Sequence, residues 1–261
     1  MTLRTPTGIP YEYDSPDMRV LIACERTAMV RDAFRARGHD AWSCDTEPTE
    51  GDPAWHIRDD VLGHLDDGWD LMVAFPPCTF LSNIGGKWLY HAGQPDRLDR
   101  RAEAVTFVRL LLSAPVPRIA LENPIGHLST AIRKPDQIIE PWQFGDPYHK
   151  KTCLWLQGLA LLRPVNPVLP AAHWVNGNRS PVAASGLPRR YTPSRDRERT
   201  FAGIAAAMAD QWGGCPVRFC KVCRGPFTGR ADARTCSDRC RQRLSRIRRA
   251  KRDMTAAVQG E

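Results

Sequence analysis

The sequence of 261 residues has no run of about 18 apolar residues, so no segment is predicted to span a bilayer as a helix. Residues 1–17 lack the apolar core of a secretory signal. With Pro6, Gly8, Pro10 and Pro16 and no periodicity, they read as a loose leader. There is no internal repeat and no low-complexity tract. Hydrophobic residues make up 42%, charged residues 25% and aromatics 8%, which excludes wholesale disorder, collagen and coiled coil. The seven histidines show no metal-ligand spacing; only His127 and His149 stand out, because each follows a motif described below.

The nine cysteines do not read as a disulfide framework. Cys24, Cys44, Cys78, Cys153 and Cys215 are scattered, while Cys220, Cys223, Cys236 and Cys240 are clustered. Without a secretion signal the expected compartment is the reducing cytoplasm, where clustered cysteines suggest a metal. The net charge of +8 is also uneven. Residues 215–261 carry a net +9 and the remainder −1, so all the excess positive charge lies in the last 47 residues. Most of it is arginine, the better phosphate fork, which points to nucleic acid.

Along the chain, Arg19 to Cys24 is a near-continuous apolar run, as in a strand buried on both faces. Thr27 to Arg37 has helical spacing and stops at Gly38. Asp40 to Asp45 is a second strand, completing a βαβ unit. Val61 to Leu65 is a brief helix, Trp69 to Phe75 a strand, and Arg97 to Ser113 an amphipathic helix. Arg118 to Leu121 and Thr152 to Leu156 are further strands. Residues 163–195 are expected to be loops, and Glu198 to Trp212 a helix. Alternating strands and helices predict an open, mostly parallel α/β sheet, whose ligands lie beyond the carboxyl ends of the strands. Trp42, Trp55, Trp69, Trp155 and Trp212 lie in or beside predicted elements and are expected in the core.

Two motifs fall at strand ends. In Pro76-Pro77-Cys78-Thr79-Phe80-Leu81-Ser82 the prolines stiffen the exit from a strand and present a thiol at the sheet edge. Alone, Cys78 reads more readily as a buried structural cysteine. The second motif, Leu121-Glu122-Asn123-Pro124, puts a carboxyl at the next strand end. A thiol beside a carboxylic acid suits attack on an electrophilic ring, sulfur adding to carbon while the acid holds a ring nitrogen.

At these residues the chain resembles the C5-cytosine DNA methyltransferases. That family has a Pro-Pro-Cys loop with a serine four residues on, matched by Ser82, and a Glu-Asn-Val element, here Glu122-Asn123-Pro124. The stretches ACERTAMVRDAF, GHDAWSCD and FGDPYHKKTCLWL look like a compact branch common in phage and prophage sequences. The resemblance covers roughly residues 19–213. It implies a Rossmann-like methyltransferase sheet over residues 18–214, with a reduced target-recognition region at 163–195. It also implies S-adenosylmethionine as methyl donor, a flipped cytosine in DNA, a Cys78 nucleophile and a Glu122 that holds the base. Cofactor contacts would come from Ala23, Cys24, Glu25, Asp45, Asp60 and Pro76, with Asp59 competing with Asp60. The family's glycine-rich first turn is absent, and its Gln-x-Arg-x-Arg segment is replaced by Tyr148-His149-Lys150-Lys151-Thr152. Lys150 or Lys151 would supply the missing cation, with Lys151 the expected catalytic one. A non-catalytic DNA-binding protein on the same sheet, or transfer of another group to C5, are the alternatives.

In the tail, Cys220-x2-Cys223 and Cys236-x3-Cys240 form a four-thiolate zinc pattern. The tail, residues 215–261, is too short for a core of its own, so metal would supply folding energy. It resembles treble-clef zinc knuckles, with a helix from Cys236 to Arg252. Arg241, Arg243, Arg246, Arg248 and Arg249 on that helix are the expected DNA contacts.

Overall fold

The computed structural model describes residues 18–83, 96–175, 186–191, 199–214 and 237–258, with short stretches at 182, 218–219, 222–223, 226–227 and 235. Met18–Gly213 forms one compact unit, and the described residues from Gly214 onward belong to a second.

The first unit is a mixed α/β structure around a seven-stranded sheet. Its strands are β1 (Arg19–Ala23), β2 (Asp40–Cys44), β3 (His56–Ile57), β4 (Leu71–Ala74), β5 (Ile119–Pro124), β6 (Gln137–Ile139) and β8 (Thr152–Gln157), in the order β3-β2-β1-β4-β5-β8-β6. The first five are parallel, while β8 runs antiparallel between β5 and β6. The helices are α1 (Met29–Arg35), α2 (Arg97–Leu112), α3 (Leu128–Ala131) and α4 (Ala202–Trp212).

Side chains alternate across the strands, so each strand feeds two cores. On one face Val20, Ile22, Val73, Ala120 and Leu154 pack with Val30 and Phe34 of α1 and Ile204, Met208 and Trp212 of α4. On the other, Leu21, Met72, Ala74, Leu121 and Trp155 pack with Val105, Val108 and Leu111 of α2. Burial on both faces is why these strands read as continuous apolar runs. The close seat of α4 needs a glycine: a Cβ on Gly203 would collide with the Phe144 carbonyl.

The predicted elements recur, most with shorter ends, while β5 runs on to Pro124 and β8 to Gln157. The brief helix is a 3-10 turn, Val61–His64, and the last helix begins at Ala202 rather than Glu198. Trp69, Trp155 and Trp212 are buried, but Trp42 and Trp55 are half-buried, edge to face at 5.3 Å. The region expected to be loops is not all loop. β9 (Ala172–Val175) and β10 (Arg189–Tyr191) join β7 (Tyr148–His149) in a second sheet of order β10-β9-β7. Three or four residues among prolines carry too little alternation to announce a strand; pairing with β7 makes them one.

In the second unit, β11 (Arg218–Phe219) and β12 (Pro226–Phe227) form an antiparallel hairpin, and α5 spans Asp238–Val258. No described helix is long and apolar enough to cross a membrane.

Candidate active site

The sheet order reverses between β1 and β4, which opens a crevice beyond their carboxyl ends. The chain leaves β1 through Cys24 at φ 58° and enters α1 through Ala28 at φ 61°. Both lie in the left-handed region that glycine adopts without strain, so this turn keeps a glycine-type path with side chains in place. The Glu25 carboxylate, itself buried, folds back into the start of α1. It accepts the Val30 amide at 2.7 Å, the Arg31 amide at 3.2 Å and the Thr27 hydroxyl at 3.3 Å. It thus fills the seat that helix N-termini offer to phosphates. Burial raises its pKa from 4.5 to about 7, against the lowering effect of those amides.

The rest of the crevice mouth is acidic. Asp45, just past β2, accepts the Glu47 amide at 2.9 Å. Asp60 caps the 3-10 turn through the Leu62 amide at 3.0 Å. Asp59 accepts the Asp60 amide at 2.7 Å and meets His64 Nε2 at 3.4 Å, bonds that hold its carboxyl low. Burial pushes the Cys24 thiol up, with Asp45, Cys44 and Asp60 adding to it. Burial likewise raises Cys44 to about 12 and Cys153 to about 11, aided by Asp45 and Glu122 respectively. These three remain neutral thiols and poor nucleophiles at ordinary pH.

The two strand-end motifs are stitched together. β4 and β5 pair in register from Met72↔Ile119 to Ala74↔Leu121. Past β4, the Asn123 side-chain amide donates to the Pro76 carbonyl at 2.9 Å. The Cys78 carbonyl accepts the amides of Leu81 and Ser82 at 3.0 and 2.9 Å, closing a tight turn around the thiol. Ser82 then bridges to Gly126, and the His127 amide donates to the Leu81 carbonyl at 2.7 Å. Only glycine permits that approach, since a Cβ on Gly126 would collide with the Leu81 carbonyl. Cys78 itself is half-buried.

Glu122 lies on the α4 face of β5 and opens into a cleft lined by Lys150, Thr152, Arg199, Phe201, Ile204 and Met208. Burial raises its carboxyl, and Lys150 opposes the shift. Of the two candidate lysines, Lys150 therefore stands at Glu122, whereas Lys151 is exposed. The side chains alternate along this stretch, and the lysine four residues before Leu154, the β5 partner of Glu122, is the one turned inward. Lys150 Nζ is 3.5 Å from the Arg199 carbonyl and 5.7 Å from the Phe201 ring centroid. Glu50 pairs with both Arg26 of the first turn and Arg199, linking the crevice to the cleft. Neither Arg199 nor Phe201 belongs to a recognisable motif; only the packing of α4 brings them here. His149 contacts Glu140 at 2.5 Å and stacks on His173, its neighbour in the second sheet, at 4.8 Å. Cys78 is not among the residues lining the Glu122 cleft.

No family model matches the sequence, and no curated protein matches it. Solved structures do. One is the crystal structure of S. pombe Dnmt2 methyltransferase, at 15% identity and a TM-score of 0.39. The match covers 55% of this chain and 51% of that one, so the chain spans about half the length of that neighbour.

Among the described residues no three His, Cys, Asp or Glu side chains converge on a metal position. Cys220 and Cys236 lie outside the described residues. Cys223 falls in the turn between β11 and β12, and Cys240 in the first turn of α5, where its amide meets the Ser237 hydroxyl at 3.3 Å. Arg241, Arg243, Arg246 and Arg249 are exposed on α5; the side chain of Arg248 lies outside the described set.

Two measurements follow from these carboxyls. Removing the Lys150 charge leaves burial of Glu122 unopposed, so Lys150→Met raises the Glu122 pKa further, read by carboxyl carbon NMR titration; an unchanged or lowered value contradicts the contact. Glu25 binds more protons folded than unfolded between pH 4.5 and about 7, so its contribution to stability grows as pH falls through that window. Relative to Glu25→Gln, the wild type gains on the order of 3 kcal/mol between about pH 8 and 5, measured by urea unfolding.

Proposed function

We propose that the chain is an S-adenosylmethionine-dependent methyltransferase acting on C5 of cytosine in DNA through a covalent Cys78 adduct. The observation that carries this reading is the stitching of the Cys78 loop to the strand end bearing Glu122. The Cys78 loop and the strand bearing Glu122, whose carboxyl burial shifts upward, are fixed to each other by Asn123, Ser82 and Gly126.

The crevice fits a phosphate-free, cationic nucleoside. Glu25 occupies the α1 terminus where a pyrophosphate would bind, and Asp45 and Asp60 repel phosphate while accepting donors. Asp45 would take the ribose hydroxyls and Asp60 the adenine amine. Ala23, Cys24 and Pro76 would line the methionine end, with Glu25 shaping the turn. When bound, S-adenosylmethionine supplies an electrophilic methyl group.

The chain's own residues act on the base. The Cys78 thiolate adds to C6, forming an S–C6 bond and shifting electron density toward C5. The Glu122 carboxyl donates its proton to N3 and receives the exocyclic amine, so no bare negative charge builds on the ring. Lys150 then faces a carboxylate that has just given up its proton. After C5 is methylated, the C5 proton leaves to a base, the S–C6 bond breaks to return the thiolate, and N3 gives its proton back to Glu122. The base must be flipped out, because stacking blocks this attack.

For the tail we infer one zinc held by Cys220, Cys223, Cys236 and Cys240. A hairpin turn and a helix start are the two platforms on which paired cysteines meet a tetrahedral ion. The arginines of α5 then add phosphate contacts that the short target-recognition region lacks.

Nucleoside mass analysis after incubation with S-adenosylmethionine and mixed-sequence DNA tests the first reading. The expected gain is one methyl on deoxycytidine, absent with Cys78→Ala. A different added mass, or no cofactor binding by calorimetry, overturns it. For the tail, native mass spectrometry should find one zinc per chain, and stripping it with a chelator should weaken DNA binding; zinc-free protein with unchanged binding rejects the module.

A further inference from the structure

A second cleft lies between α2 and the segment that follows β5. It is lined by Leu98, Arg101, Val105, Arg109, His127 and Ala131, with Ala102 and Thr106 completing one stripe of α2. The floor is apolar and the rims are basic, and no carboxylate lines it. Asp99 and Glu103 of the same helix are not among the lining residues, and Asp96 is paired with Arg100 at 2.6 Å. Burying an unfilled strip of this kind would be simpler with leucines; arginines on its rim favour an anionic occupant.

The groove is joined to the nucleophile loop. Arg101 Nε donates to the Phe80 carbonyl at 3.2 Å, and the guanidinium carbons of Arg97 and Arg100 lie 5.0 and 6.0 Å from the Phe80 ring centroid. At the far end Arg109 Nη2 donates to the Ala131 carbonyl at 3.0 Å. A guanidinium has five N–H donors, and these bonds use one from each of Arg101 and Arg109. The two arginines are eight residues apart, about 12 Å along the helix, so they can engage different phosphates of one strand. Leu98, 48% exposed, and Ala102 offer the apolar surface on which deoxyribose rests.

We propose that this groove binds the sugar-phosphate backbone of the nucleic acid strand flanking the target base, with Arg101 and Arg109 as its phosphate contacts. The inference rests on the nucleic-acid reading above and adds a second, independent surface to it. Arg101 also ties this groove to the loop that carries Cys78.

The test is fluorescence anisotropy of full-length protein with a mixed-sequence deoxyoligonucleotide across a salt series, comparing wild type, Arg109→Ala and Lys134→Ala. Lys134 is an exposed cation outside the groove, so it reports the effect of net charge alone. Arg109→Ala should weaken binding several-fold and lower the slope of log K against log salt by about one unit, as for one lost phosphate contact. Lys134→Ala should leave the slope unchanged. Equal slopes in all three proteins, or equal losses in both variants, overturn the groove. Wild type that binds with this pattern but transfers no methyl keeps the groove and rejects the proposed activity. Wild type that methylates DNA, with an Arg109→Ala slope unchanged, rejects the groove alone. Absence of any oligonucleotide binding rejects both.

Discussion

Two neighbouring parallel strands end side by side, and the backbone leaving them is tied together before it diverges. Asn123 holds the Pro76 carbonyl, and Gly126 lets the following turn approach Leu81 closely enough for the Ser82 bridge. Without this stitch the Pro-Pro-Cys segment would be an ordinary surface loop. With it, the loop that carries Cys78 is fixed to the segment that follows Glu122, across 43 intervening residues. The same tie couples the segment after β5 to the Cys78 loop, and α2 reaches that loop through Arg101.

The electrostatic layout follows from where each carboxylate is spent. Glu25 is folded inward on the α1 amides, and Asp45 and Asp60 cap local turns at the crevice mouth. The crevice is therefore closed to phosphate by like charge and by an occupied helix terminus. Around the Cys78 loop the sign reverses, with Arg97, Arg100 and Arg101 gathered on Phe80. Burial adds a second layer of control. It keeps Cys24, Cys44 and Cys153 as neutral thiols and holds the Glu122 carboxyl toward its protonated form, with Lys150 as the counterweight.

The small second sheet is held together by few residues. Tyr148, Trp174 and Phe201 pack within 4.8 to 5.7 Å of one another, and Arg190 lies over both Tyr148 and Trp174. Phe201 also lines the Glu122 cleft, so this aromatic cluster joins the cleft to the second sheet. Aromatic packing replaces a conventional core here, where the strands are only two to four residues long.

Local chemistry made part of this protein legible in its sequence. Strands buried on both faces must be apolar throughout, so β1, β4, β5 and β8 were visible as runs. The Pro-Pro-Cys and Glu-Asn-Pro motifs stood out because polar groups at strand ends have no core role. Other features depend on long-range packing and leave no local mark. The antiparallel placement of β8 between β5 and β6 is decided by pairing partners, not by composition. The strands at 172–175 and 189–191 exist only because β7 offers an edge. Which lysine faces Glu122 is a matter of alternation relative to a strand whose register sequence could not supply. Arg199 and Phe201 reach the cleft because α4 docks on α1, and the role of Glu25 as a helix cap required seeing its side chain turn back on its own chain. Sequence determined the chemistry available at each strand end; tertiary structure decided which groups meet, because meeting depends on register and docking between segments far apart in the chain.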